Sequence, residues 1–393
     1  MKKLMCVLTF VLLFTGLLCG SWARVLTLGG ELSMLVDDDV GIDLFPQRIN
    51  DFNLVRIEDI GFSPGYLAIL GEDGDKWGIW GTRLSANDIL NVYRSLSTTS
   101  AVELSLLLHR KKDVNENNTE EMERVISNFE SYITYGWDHD NSEKSLMLGL
   151  SYGPGDRFYM GEVYNSFDYT DFATIDSAKT SGSASSFDIW GVYRNRTREK
   201  FLIFDNYYDR AEIGTFFGGH DITQGGTKTE EEKCSGFYLR ARRFMFNIKD
   251  INENTRLYYG HGCGLGYYLD NVKDEVGDTK TTYHSLYFGR MVLAAGLEME
   301  FKKFDFRMGL NRYNTLFYNE GDKFSNAVTR ENSLTEISHN ADYWINTGIG
   351  YKHNNLQINT VFNSNIWSNG PQMLFDSNTG FIFTSLDIIY NLK

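Results

Sequence analysis

From residue 111 to its C-terminus, this chain alternates long and short polar connections without a break. Long ones fall at Lys111–Ser127, Asn165–Ser185, Gly219–Lys233, Asp270–Lys280, Asn319–His339 and Ser368–Asn378. Short ones fall near Asp140-Asn141 and at Thr197–Glu199, Lys249–Asn254, Lys302-Lys303 and Lys352–Asn355. An antiparallel sheet that crosses a membrane sorts its connections by parity, with short turns on one side and long loops on the other. A soluble sandwich has no reason to do so.

The segments between these connections read as strands, most clearly over Asn340–Trp367. Ala341, Tyr343, Ile345, Thr347, Ile349 and Tyr351 alternate with Asp342, Trp344, Asn346, Gly348 and Gly350. After Lys352-His353-Asn354-Asn355, Leu356, Ile358, Thr360, Phe362 and Ile366 alternate with Gln357, Asn359, Val361, Asn363 and Asn365. A period of two assigns each set to one face, and the Asn-rich break reads as a tight hairpin turn. One face is apolar and the other is glycine and amide, which suits lipid outside and a watery lumen inside. The expected fold is all-β, a closed antiparallel transmembrane barrel of about 14 strands, even in number. Gly65–Gly71 and Lys76–Leu84 form a hairpin about Glu72–Asp75, and Phe52–Glu58 is extended. Ser85 caps a short helix with Ile89, Val92, Tyr93 and Leu96 on one face, as a membrane-surface, plug or connecting helix. In the last strand, Gly380–Leu392, Leu386 and Ile388 point outward and Asp387 inward.

Met1-Lys2-Lys3, an apolar run from Leu4 to Leu18 and Ser21-Trp22-Ala23 read as a secretory signal peptide cut before Arg24. The apolar run is short for a spanning helix. Cys19 suggests a lipoprotein, but Leu18 stands where a small residue is expected. The expected organisation is a signal peptide at 1–23, an N-terminal segment at 24–60 and a barrel at 61–393. Losing Lys2 and Lys3 takes the formal charge from −14 to −16, which argues against nucleic acid as a partner. The 4 Pro fall mostly at turns, as a sheet protein requires. Cys234 and Cys263 lie too far apart along a Gly236–Ile248 and Arg256–Leu269 hairpin, with Cys263 opposite Ala241, to be bridged. Both are expected as free thiols.

The segment after Arg24 runs through Leu28-Gly29-Gly30, Asp37-Asp38-Asp39 and Phe45-Pro46-Gln47. It resembles the N-terminal region of outer-membrane barrels of the long-chain fatty-acid transporter kind, over about the first 35 mature residues. Phe45-Pro46-Gln47 departs from that family's Asn-Pro turn. The resemblance implies a segment tucked into the barrel; a periplasmic arm is the alternative. Asp37-Asp38-Asp39 is either a solvated loop or a cation site, though its spacing matches no calcium loop. The last strand resembles the C-terminal signal read by barrel-assembly machinery, except that it ends in Lys393 rather than an aromatic residue.

No catalytic constellation emerges from the 7 His, so the chain is not expected to be an enzyme, and no cofactor or metal is expected. Gly260-His261-Gly262-Cys263-Gly264-Leu265-Gly266 lacks the strand-to-helix turn of a dinucleotide site. It reads instead as a strand whose glycines relieve crowding against a plug or let the strand bend. Alternation nominates Arg194, Arg240, Arg242, Glu298, Asp305, Arg307 and Asp387 as pore-lining, because charges facing lipid near the midplane cost about 2–4 kcal/mol for Arg or Lys. They either set selectivity at a constriction or form a salt-bridge network that fills the barrel. The functional expectation is a porin-like pore or transporter in a bacterial outer membrane, passing small solutes, with a weak preference for cations. Its partners are the lipid bilayer and the assembly machinery. The alternatives are a barrel whose external loops bind a partner, as an adhesin or assembly factor, and a secreted soluble β-protein.

Overall fold

The computed structural model describes residues 22–28, 39–58, 65–83, 87–115, 122–139, 142–154, 178–195, 204–224, 227–274, 279–325, 330–336, 341–362 and 383–392. The apolar leader Leu4–Leu18, Asp37, Asp38, Asn363 and Ile366 lie outside the described residues. Short strands open the sheet: β1 (Leu54–Glu58), β2 (Gly65–Glu72), β3 (Asp75–Arg83) and β4 (Asn87–Ser97). Longer ones follow: β5 (Ser100–Asn115), β6 (Met122–His139), β7 (Ser142–Pro154), β8 (Ala178–Asn195), β9 (Asn206–Gln224) and β10 (Thr227–Asn252). The rest are β11 (Thr255–Asp274), β12 (Thr279–Phe301), β13 (Phe304–Ser325), β14 (Arg330–Glu336), β15 (Ala341–His353), β16 (Leu356–Phe362) and β17 (Phe383–Asn391).

All seventeen belong to one antiparallel sheet that closes on itself through β1. Leu54 pairs with Ile69 of β2 on one side and with Asn391 of β17 on the other. β14 and β15 lie end to end along β13, opposite Tyr318–Phe324 and Asn314–Phe304 respectively, so together they fill one place in the wall. The ring therefore has sixteen strands, not about 14. The two extra are β1, from the extended Phe52–Glu58, and β4, which the sequence reading made a helix. Ile89, Val92, Tyr93 and Leu96 satisfy the helical spacing, but Ile, Val and Tyr also suit a strand. Over Asp88–Arg94, β4 pairs with both β3 and β5, whereas a helix there would leave two open edges.

The alternation is clearest in β13. Phe304, Phe306, Met308 and Leu310 are 39–52% exposed outside, while Asp305, Arg307 and Asn311 are 2–3% exposed inside. The 341–366 hairpin behaves likewise, with Ile345 exposed and Asn359 fully buried, and in β17 Asp387 is buried and Tyr390 exposed. Its turn is Asn354-Asn355, with Asn354 left-handed at φ 53°. The Glu72–Asp75 hairpin also forms as expected. Two of the long polar connections are mostly strand among the described residues. Gly219–Lys233 continues β9 and β10, paired to Gln224 and Thr227, and Asn319–His339 is mostly β13 and β14. Polar residues carry the wall beyond the apolar belt as strand. Cys263 is a free thiol and pairs with Arg243, not Ala241, because the β10–β11 turn is the tighter Asn252–Thr255.

Before β1, a short helix α1 (Trp22–Thr27) and two 3-10 turns, Asp39–Asp43 and Pro46–Asp51, pack within the ring at the end carrying the short turns. Val25, Leu28 and Phe45 join Phe244, Phe246, Tyr258, Val192 and Val292 in one apolar cluster. Ile42 and Ile49 join Ile69, Tyr93, Ala101 and Ile389 in another on the opposite wall. Glycines in the wall permit this close approach. A Cβ at Gly296 would lie 2.6 Å from the Leu28 carbonyl oxygen, and one at Gly136 would collide with Gln47.

Candidate functional site

The charged inner face divides into two parts. Nearest the short turns, β12, β13 and β17 present Glu298, Asp305, Arg307 and Asp387 at alternate positions, and the wall and the N-terminal segment together supply their partners. Arg24 donates to Glu298 through Nε (3.1 Å) and Nη2 (2.9 Å), and Tyr258 donates its hydroxyl to the same carboxylate at 3.0 Å. Arg307 reaches Glu298 (2.7 Å), Asp305 (2.8 Å) and the Asn359 side-chain oxygen (2.7 Å), and Lys352 lies 3.0 Å from Asp305. The Ala23 N–H donates to Asp387 at 3.2 Å. Across the lumen, Glu143 sits between Arg48 (3.2 Å) and Arg194, whose guanidinium stacks 4.7 Å from the Phe45 ring centroid. Arg56 pairs with Asp39 at 2.8 Å. Apart from Lys352 and Arg24 these groups are almost wholly buried, and burial of so many charges is tolerable because opposite charges meet among them.

Above the segment lies a second arrangement, on β8, β9 and β10. Arg242 stands directly opposite Arg210, and Arg240 opposite Glu212. Each arginine lies on an aromatic face: Arg210 is 4.7 Å from Trp190, Arg240 5.0 Å from Tyr238 and Arg242 5.7 Å from Phe244. Arg210 and Arg240 share Glu212, at 3.5 and 3.9 Å. Asp188 is occupied by the Tyr238 hydroxyl at 2.5 Å. Two of these three cations thus share one carboxylate. They have room because the inner positions of the next strand are bare: Gly266, Gly264, Gly262 and Gly260 pair with Arg240, Arg242, Phe244 and Phe246. A Cβ at Gly262 would lie 2.8 Å from the Phe244 ring. The glycine run is a strand, as expected, and it accommodates the neighbouring β10 side chains.

All seven nominated residues face inward, but they do not form one set. Arg194, Glu298, Asp305, Arg307 and Asp387 are locked in ion pairs or hydrogen bonds to the N-terminal segment and its surroundings, while Arg240 and Arg242 stand in the partly exposed patch. The sequence reading missed Arg24, Arg48, Arg56, Glu143, Arg210, Glu212 and Trp190. The residues before β1 have no strand period to mark an inward side. Glu143, Arg210, Glu212 and Trp190 follow the same alternation as the nominated set and could have been found by it. Among the described residues, no three His, Cys, Asp or Glu gather into a metal-binding group, and no helix is long and apolar enough to cross a membrane.

No family model matches the chain, and no curated protein matches it. Among solved structures it is similar to a siderophore receptor of Acinetobacter baumannii, at 10% identity over 78% of this chain and 48% of that one, with a TM-score of 0.36. It is also similar to the ferric yersiniabactin uptake receptor of Yersinia pestis, at 6% identity over 79% and 68%, with a TM-score of 0.37. A copper transporter gives 10% identity over 87% and 52%, with a TM-score of 0.37. The chain spans about half the length of the first and third. Likenesses this distant leave the reading of the site to this chain's own residues.

Proposed function

We propose that this chain is an outer-membrane transporter of small solutes whose barrel is stopped at its short-turn end by its own N-terminal segment, acting as a plug. The observation that carries the reading is the pairing of Arg24 and Arg48, from the segment, with Glu298 and Glu143, from opposite walls. A sheet with an apolar outside and a charged inside suits a barrel bathed in lipid and filled with water. A segment held by buried ion pairs and apolar packing has discrete bound and released states rather than a continuum of positions. Passage then requires its displacement. Arg210, Arg240 and Arg242 face the lumen above the segment, so this level of the lumen favours anions at low salt, opposite to the weak cation preference expected from sequence.

The test joins the plug to the wall. Leu26→Cys and Asn346→Cys, adjacent through the Asn346 side chain and the Leu26 carbonyl at 3.0 Å, are introduced with Cys234 and Cys263 replaced by Ala. A short bifunctional thiol reagent should silence solute flux into vesicles, while the uncrosslinked double variant conducts. Equal flux with and without the crosslink overturns the plug. No flux in either state, nor in wild type, overturns transport and leaves the fold standing.

A further inference from the structure

The outer wall of β7 to β11 departs from a uniform apolar surface. Three in-register rows cross it. The middle row has almost no side chains: Gly191 pairs with Ala211, and Ala211 with Ala241, with Leu146 and Leu265 at its two ends. On one side stand Ile213 and Leu239, large and exposed. On the other stand Lys144, Tyr193, Asp209 and Arg243, also successive cross-strand partners. The small row is the floor of a trough of about 640 Å³, bordered by Lys144, Tyr193, Asp209 and Arg243.

The trough has direction. Lys144 lies two residues from the start of β7, whereas Arg243 lies nine from the end of β10. With barrel strands tilted by about 35–45°, the rows climb from the short-turn end toward the middle of the apolar belt. Trp137 and Tyr135, stacked at 5.3 Å, and Tyr193 and Tyr207, 5.7 Å apart, cluster around the low end, where aromatic residues mark a membrane interface. Charge follows the same direction. Arg243 and Asp209 neutralise each other through two hydrogen bonds of 2.6 and 2.7 Å. Lys144, at the low end, has no carboxylate partner among the described residues; its ammonium lies 5.9 Å from the Tyr193 ring centroid. The wall therefore offers, in Lys144, an unneutralised cation at the low end of a small-residue channel that rises from it into the apolar belt.

We propose that this trough docks an anionic membrane phospholipid, its phosphate on Lys144 and one acyl chain along Gly191, Ala211 and Ala241. The match is in charge and in direction, since a single negative headgroup sits at the interface and its chain runs inward. The proposal rests on the membrane reading above, and the two can fail separately. The full chain, folded in detergent, is titrated with phosphatidylglycerol or phosphatidylcholine and examined by native mass spectrometry. Wild type should retain one phosphatidylglycerol at roughly tenfold lower lipid concentration than phosphatidylcholine. Lys144→Gln should abolish that preference, and Ala211→Phe, which fills the floor, should abolish retention of both. Equal retention of the two lipids by wild type, or retention unaffected by Ala211→Phe, overturns the site. A dimer that Ala211→Phe dissociates also overturns it, in favour of a second copy as occupant. A chain that stays folded and monodisperse without detergent removes the membrane reading instead.

Discussion

The two charged regions of the lumen are built from the same residue types on the same kind of strand, yet they are opposites. In the lower region, Glu298, Arg307 and Glu143 are buried, and opposite charges from two walls and the N-terminal segment meet at close range. In the upper region, Arg210 and Arg240 share one carboxylate, and with Arg242 they rest on aromatic rings and remain partly exposed. Alternation places both sets on the inner face and cannot separate them. What separates them is the supply of counter-charge, which the N-terminal segment delivers to one region only. Paired buried charges hold a structure together, and partly exposed cations are accessible to a ligand.

The largest expected effect breaks the lower region. Arg307→Ala leaves Glu298 and Asp305 without their shared partner in a buried setting, and should destabilise the barrel by about 3–5 kcal/mol. Loss of the folded, fast-migrating form on heating reads this directly; a change no larger than that of an exposed pair would erase the distinction between the regions. Neutralising Glu298 or Asp305 should likewise act on stability before it acts on selectivity.

A smaller effect tests whether the upper platform is rigid. Gly262→Ala brings a methyl group to 2.8 Å from the Phe244 ring, and should cost about 1–3 kcal/mol through overpacking. A silent substitution would mean that Phe244, and Arg242 above it, move freely.

Arg240→Ala together with Arg242→Ala should cost about 1 kcal/mol or less in stability, since exposed cation–π contacts are weak. It should abolish anion preference in a chain whose plug is open. The preference of the unsubstituted chain should itself fade near 1 M salt, where screening acts within about 3 Å. Selectivity that survives the double substitution would place the deciding charges elsewhere.

The smallest effect sets the baseline. Arg256→Ala removes an exposed pair with Asp250, 2.9 Å at the β10–β11 turn, and should cost about 0–1 kcal/mol.

The fold was legible wherever the period of two ran long enough to be unambiguous. The 341–362 hairpin, β13 and β17 carry alternate apolar residues because the two faces of the sheet meet different surroundings at every second side chain. β1 is too short to carry that signal, and β4 satisfies the strand and helix patterns at once; sheet closure decides both. Gly219–Lys233 and most of Asn319–His339 are strand rather than loop among the described residues, so polarity alone does not mark where a strand ends. The site was half legible. Inward charges follow from alternation, but the partners Arg24 and Arg48 come from a stretch with no period. The outer trough was invisible because it depends on which strands stand side by side and in what register.

Closure through β1 has a consequence for how the molecule is made. Leu54 and Asn391 become neighbours although 337 residues separate them, and joining such distant points costs about 5 kcal/mol in chain entropy. That cost falls due before the last seam returns any hydrogen bonds. Until β17 is in place, both β1 and β16 present unpaired backbone to their surroundings, an edge that invites pairing with other chains. A barrel of such non-local contacts folds slowly, and its vulnerable interval lasts until the final strand arrives. Because Ile42 and Ile49 share an apolar cluster with Ile389 on that same strand, the N-terminal segment and the seam are completed together. A chain that seals without its N-terminal segment inside has to reopen to admit it.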